Sequence, residues 1–309
     1  MPNAPFPVHP DYTPIAIGYR NERLIADDVL PRSPVGKQEF KYLKHAKEDA
    51  FTLPDTLVGR KGQVNRVDFS AAEVTDSTND HGLEDVVPVA DKQNAPPGYD
   101  PGARATQSLT DLILLDREVR AAALVFNAAS YPAGQQVTLS GTSQWSDGVN
   151  SDPIGDVMTA LDAMFVRANI GVCGRAVFTQ LAQHPKVVKA VHGNSGDAGV
   201  ATRAAIASLF ELDALLVGEG WLNTARKGQP ASFSRVWGKH FALLHRDPLA
   251  TPRDRMTFGL TAQWGRREAY SWFDKDVGLR GGDVIRVGES VKELITASDA
   301  GYFVQNAVA

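Results

Sequence analysis

Residues 37–74 read KQEFKYLKHAKEDAFTLPDTLVGRKGQVNRVDFSAAEV. Near the end, Val67, Phe69 and Ala71 alternate with Arg66, Asp68 and Ser70, the period of two that marks a half-buried strand. Gly59-Arg60-Lys61-Gly62 supplies turn residues and two positive charges. The pattern predicts a long hairpin with strands over 37–53 and 63–74. A hairpin this long exposes edges and faces that need covering, by its own domain or by a partner.

Outward from this hairpin, proline usage divides the chain. Residues 1–103 hold twelve of the eighteen prolines, and the other 206 residues of the 309 hold six. Proline fixes φ, removes a donor and pushes its predecessor into extended conformations. The first third is therefore expected to be arm, hairpin and loop. Yet it carries Tyr12, Ile15, Ile17, Ile25, Phe40, Tyr42, Phe51 and Phe69, too much apolar surface for a solvated linker. These side chains are expected to have no home on their own molecule and to be covered by another.

The remaining two-thirds has the texture of an α+β body. Residues 104–130 predict a long amphipathic helix, with Leu109, Leu112, Ile113, Val119, Ala123 and Phe126 as its apolar face. A second helix starts with Asp152 as N-cap and Pro153 at the first helical position. A helix from 175 breaks at His184-Pro185, and another spans about 200–211. Strands are expected at 214–217, 240–245, 257–264, 268–273 and 284–287, with a hairpin from Val291 to Val304. Length alone allows about two domains.

Catalytic signals are scarce. The seven histidines fall in no metal-binding frame, and a lone cysteine, Cys173, can build neither an internal disulfide nor a thiolate zinc cluster. Gly193-Asn194-Ser195-Gly196 lacks the spacing and the preceding strand of a nucleophile elbow. No phosphate-binding loop is present, and neither a catalytic, a cofactor nor a metal site is expected. No apolar run approaches the roughly 20 residues of a membrane span. Charge is more informative. Residues 67–103 carry eight acids against Lys92, while residues 223–286 carry twelve bases against six acids, in a chain of net charge −4. An acidic segment lying on a basic surface, within one chain or between neighbours, would set orientation more than affinity.

Several strings together resemble one family: IAIGYRN (15–21), LIADDVLP (24–31), PVGKQEFKY (34–42), GRKG (59–62), TDLILLDREVR (110–120), QWSD (144–147), LFELD (209–213) and VWG (236–238). In combination they resemble tailed-bacteriophage major capsid proteins of the Hong Kong 97-type fold. That resemblance implies an N-terminal arm (1–36), an E-loop hairpin (37–75) and a peripheral P-domain (76–167) with a spine helix (104–130). It implies an axial A-domain mainly over 168–265 and a return to the P-domain over 266–309. The implied function is structural rather than enzymatic: self-assembly into pentamers and hexamers of an icosahedral head that encloses double-stranded DNA without reading its sequence. Arm and E-loop would lie across adjacent subunits, with Phe40, Tyr42, Phe51, Arg60, Lys61 and Phe69 as inter-subunit contacts. A separate scaffolding protein, a portal and decoration proteins are the implied partners, with no membrane. The implied location is the virion, after synthesis and assembly in the bacterial host cytoplasm. No lysine–asparagine cross-link can be aligned, so non-covalent assembly is expected. The rival readings are a minor head or decoration protein, and an enzyme with an α/β body using Ser195 or Cys173.

Overall fold

The computed structural model describes residues 8–44, 53–60, 62–66, 72–193, 199–226 and 228–309. Two sheets organise them, and one long helix lies against both. The helix, α4, spans Pro101–Val125 and follows the short α3 (Val89–Gln93). Asp100 caps it by accepting the Gly102 N–H at 2.8 Å, and proline occupies its first turn. The hydroxyls of Ser130 and Tyr131 return to the carbonyls of Leu124 and Val125, which close the other end. The helix thus starts earlier and stops sooner than the expected 104–130, with a short 3₁₀ turn at Ala128–Ser130 after it.

Its buried face also differs from the apolar stripe read from sequence. Leu109 and Ile113 are buried as expected, but Leu112 is exposed, and Arg117 and Glu118 lie inside. Hydrogen bonding explains the shift. Thr106 and Thr110 turn their hydroxyls onto carbonyls one turn back, at 2.9 and 2.7 Å, and so enter the interior satisfied. Glu118 accepts the backbone N–H groups of Ile25 and Ala26, at 2.9 and 2.7 Å, and the Trp237 indole N–H. Arg117 donates to the Leu30 carbonyl and the Thr261 hydroxyl and pairs with Asp27.

The four-stranded sheet runs β1 (Arg32–Val35), β11 (Gly259–Asp274), β12 (Gly282–Ile295), β4 (Asn79–Pro88). β1 is parallel to β11, and the other pairs are antiparallel. The two strands expected at 257–264 and 268–273 are one strand whose register shifts between Trp264 and Glu268. Likewise 284–287 and 291–295 belong to one continuous β12.

The five-stranded sheet runs β5 (Gln136–Thr138), β13 (Gly301–Gln305), β10 (Phe241–Leu244), β6 (Ile170–Gly174), β7 (Ala214–Gly218). Its central strands β6 and β10 are buried throughout, with side chains alternating between two apolar layers. Cys173, Phe241 and Leu243 face the helices Pro153–Ala163, Arg175–Gln183, Pro185–His192 and Arg203–Leu209. Val172, Ala242 and Leu244 face Trp237, Phe258 and the last turns of α4. β13 pairs antiparallel with β10 and parallel with β5 in this sheet.

The front of the chain corrects the sequence reading most sharply. From Val8 to Lys44 it packs on its own body. Helix α1 (Tyr12–Gly18) sets Tyr12 and Ala16 against α4 and the four-stranded sheet. Helix α2 (Ala26–Val29) places Val29 and the adjoining Leu30 in the core, and β1 joins the sheet edge. Arg32 reaches buried Glu289 at 2.8 Å, as does Arg267, which also donates to the Ala16 carbonyl. Of the apolar side chains that demanded cover, Tyr12, Ile25 and Phe40 are buried within the molecule, Ile15 and Tyr42 are half-buried, and Ile17 stays exposed.

Removing the Glu118 carboxylate strands three buried donors and leaves Arg117 beside them. Glu118→Ala should therefore destabilise the fold by roughly 3–5 kcal/mol, read as a drop in thermal midpoint. Glu118→Gln keeps one acceptor oxygen and should cost less; equal losses for both variants would count against the network.

Candidate functional site

Of the two candidate nucleophiles, Cys173 lies among the described residues. Cys173 is fully buried on β6, and burial pushes its thiol up to about 12, so it carries no thiolate at neutral pH. Ser195 lies outside the described residues. The structure does bring one serine to one histidine: Ser151 Oγ is 3.0 Å from His184 Nε2. The direction of the bonds disarms that pair. His184 Nδ1 accepts the Lys186 N–H, so the proton sits on Nε2 and is donated to the serine. Ser151 in turn donates to the Asp147 carbonyl at 2.6 Å. The imidazole caps the helix Pro185–His192 and abstracts nothing. No group of metal-ligating side chains is found among the described residues, and none of their helices is long and apolar enough to cross a membrane.

The hairpin and its flanks present surfaces instead. β2 (Glu39–Lys44) and β3 (Ala72–Ser77) pair antiparallel from Glu39 opposite Ser77 to Lys44 opposite Ala72. This is the base of the expected hairpin, with its second strand running later than 63–74. Gly62 N–H bonds the Gly59 carbonyl at 2.8 Å, the turn read from sequence. Between base and turn, Leu53, Leu57 and Val64 are 87, 85 and 72% exposed.

The six expected contact residues divide. Arg60 is exposed at the turn. Phe51, Lys61 and Phe69 lie outside the described residues, as does the whole of the Val67–Ala71 alternation. Tyr42 is half-buried and packs near Phe40. Phe40 is only 8% exposed and packs with Leu260, Ala262 and Leu294 of the four-stranded sheet.

Charge complementarity is partly internal. Glu84 of the acidic segment pairs with Arg286, and Glu73 with Arg253 at 3.4 Å, both cations from the basic stretch. A cleft of about 650 Å³ opens between the arm, α4 and β11, with Arg20, Arg32, Arg117, Arg267, Asp27 and Glu118 in its wall. Burial would raise the Asp27 and Glu289 carboxyls, but the guanidiniums of Arg117, Arg32 and Arg267 outweigh it and hold both low. Glu118 goes the other way, because burial there exceeds the effect of its three donors. The cations of this wall are largely committed to the carboxylates behind them, so the cleft reads as the seam that holds the arm.

Taken together, these features describe a packed body with exposed apolar projections. Comparison with known proteins gives that description a family. A major capsid protein of Pseudomonas phage JBD67 is 56% identical over all 309 residues, covering 100% of both chains. The chain belongs to the phage major capsid proteins. Residues 127–217 of this capsid protein also match the family model described as phage major capsid protein E, from the end of α4 to the end of β7. Among solved structures, a phage-related protein from Bordetella bronchiseptica RB50 superposes with a TM-score of 0.79 at 25% identity, over 98% of this chain and 99% of that one. The capsid of cyanophage P-SCSP1u shares the fold at 10% identity, with a TM-score of 0.58 over 93 and 89% of the chains. The fold is therefore one of mixed helix and sheet shared with phage capsids.

Sequence reasoning did not find the surface at β8 (Trp221–Asn223) and β9 (Phe233–Arg235), a two-stranded ribbon with exposed aromatic side chains. Trp221 and Phe233 were visible as residues, but nothing local distinguishes an exposed aromatic from a core one.

Two outcomes follow from the geometry of this capsid protein. Phe40→Ala should cost about 3–5 kcal/mol of folding stability, whereas Leu57→Ser should leave the unfolding curve in place; a native-like midpoint for Phe40→Ala would return that residue to the surface. Burial depresses the His184 pKa from its ordinary value, so the unfolded chain takes up that proton first. The stability it contributes is complete above about pH 6.5 and is lost as pH falls through the lower folded value. His184→Asn, which keeps a capping side chain without a titrating ring, should flatten the decline between pH 7 and 5 in chemical denaturation.

Proposed function

We propose that this major capsid protein is the subunit of an icosahedral head, assembling as pentamers and hexamers around double-stranded DNA in a Hong Kong 97-type fold. The observation that carries the proposal is the exposed apolar hairpin, Leu53, Leu57 and Val64, standing off a body whose own core is already closed. A side chain of this kind yields roughly 1.5–3 kcal/mol when fully buried. Ordering and association consume much of that gain, so each contact is weak and only the closed lattice is stable.

In this reading residues 1–36 are the arm, 37–75 the E-loop, 76–167 the P-domain with the spine helix, 168–265 mainly the A-domain, and 266–309 the return. The pairing of β13 with β10 argues for assigning 301–305 to the axial half. The arm contributes first to its own subunit, so reach across the lattice falls to the hairpin. A net charge of −4 suits a wall that encloses DNA without gripping it, since each added lysine or arginine on phosphate would strengthen binding. Synthesis in the bacterial cytoplasm, a separate scaffolding protein, a portal and decoration proteins complete the picture.

Negative-stain microscopy of the expressed chain, alone and with a scaffold, should show closed shells. Deleting residues 53–66 should leave a folded chain by circular dichroism that forms none. Shells boiled in detergent should run as one monomer band; a ladder would contradict non-covalent assembly.

A further inference from the structure

Two surfaces that this fold leaves uncovered are complementary. The first is the ribbon β8–β9. Its register sets Trp221 opposite Arg235 and Asn223 opposite Phe233, which places all four on one face. The Arg235 guanidinium lies 4.2 Å from the centre of the Trp221 ring. Trp221 is 48% and Phe233 66% exposed. Asn223 Oδ1 accepts the N–H groups of Ala225 and Ser232, both at 3.1 Å, which fixes the ends of the connecting loop. A two-stranded ribbon is marginal when its aromatic face stays in water. Tryptophan and arginine in a rigid setting are also the side chains that carry most interface energy. Arg253, Arg255 and Arg286 are paired with carboxylates, but neither Arg226 nor Arg235 has an ion-pair partner among the described residues.

The second surface lies between α4 and the edge strand β4. His81 is 3.7 Å from Asp116, and Val87 shares an apolar cluster with Ala105 and Leu109. Strand and helix therefore run antiparallel side by side, and Leu83 and Leu112 fall between those two contacts. They are 41 and 53% exposed. Asp85, on the same side of the strand as Leu83, accepts only the N–H of Val86 at 2.9 Å and pairs with no cation among the described residues. β4 ends the sheet order, so no further strand among the described residues covers it.

We propose that the Trp221–Phe233–Arg235 face of one copy docks on the Leu83–Leu112 patch of a second copy, with Arg226 and Arg235 turned toward Asp85. The chemistry favours this occupant. An aromatic, basic face meets an aliphatic, acidic one, and these are charges left over after the internal pairs of the acidic and basic segments have formed. The two patches differ, so the contact is heterologous, the type that closes into rings or extends a lattice. This docking rests on the shell reading above and adds a contact that does not involve the hairpin.

A cross-link tests it. Phe233→Cys and Leu112→Cys are combined in the full chain, where native Cys173 is fully buried and unreactive. Assembled particles treated with a short bifunctional maleimide should give a ladder of dimers and larger species, while either single variant gives monomers. Particles that assemble but yield only monomer from the double variant would overturn the docking surface and leave the shell reading intact. Failure of the native chain to form particles, alone or with a scaffold, would overturn the shell reading and this contact with it. A charge reversal gives an independent readout. Arg226→Glu with Arg235→Glu should lower particle yield about tenfold, and Asp85→Arg added to that pair should restore most of it. Undiminished yield from the first variant, or no recovery with the second, would overturn the proposal.

Discussion

The fold depends on how buried charge is balanced where arm, helix and sheet meet. Arg117 and Glu118, neighbours on α4, both lie inside, and an unpaired ion there would cost several kcal/mol. Each is satisfied by the arm: Glu118 by the N–H groups of Ile25 and Ala26, Arg117 by the Leu30 carbonyl and Asp27. On the facing strands Glu289 is held by Arg32 from the arm and Arg267 from β11. Helix α4 can therefore bury its polar face only when residues 25–32 are in place. The arm is a structural part of the subunit, and the order of dependence runs from charge pairing to helix seating to sheet packing.

That constraint separates what must be rigid from what is free to meet a neighbour. α4 touches the core of both sheets, with Leu109 and Ile113 in one cluster and Ala121, Ala122 and Val125 in another. The two halves thus share one stiff element and resist shear between them. Outside this unit stand the hairpin base β2–β3 with its exposed leucines, the ribbon β8–β9, and the edge strand β4. A subunit that must keep its shape while many weak contacts form around it benefits from that division, since preorganised surfaces lose less entropy on association.

Elements governed by local chemistry were legible in the sequence. The break at His184-Pro185, the proline start at 153 and the short strands near 214 and 241 fall where propensity and punctuation put them. Elements decided by distant partners were not. Leu112 looks like a core residue and Arg117 like a surface one until Thr261 and Asp27, far away in sequence, reverse their places. The prolines of the first third signalled extended chain correctly, yet they carry no information about which molecule the extended chain lies on. The deduction that it must lie on another subunit failed for residues 8–44, because two short helices, one of them with Pro14 in its first turn, were enough to dock it at home. Phe40 is buried for the same reason: its strand borders the four-stranded sheet, which covers its ring. Family strings, being combinations rather than local signals, identified the capsid lineage despite that error.

The distribution of charge leads to the last step. Glu73, Asp76 and Glu84 of the acidic segment are already neutralised by Arg253, Lys292 and Arg286 of the same chain. Were complementarity complete within the molecule, association would depend on apolar contact alone and would lack orientation. Among the described charges of these segments that keep no ion pair, the ribbon carries Arg235 with Arg226 in its loop and the edge strand carries Asp85, which is an asymmetric set. An asymmetric remainder disfavours face-to-face pairing of two identical patches, because like charges would then oppose each other, and favours head-to-tail contact. Head-to-tail contact between rigid bodies gives rings when the rotation closes, and rings are the unit from which a shell can be tiled.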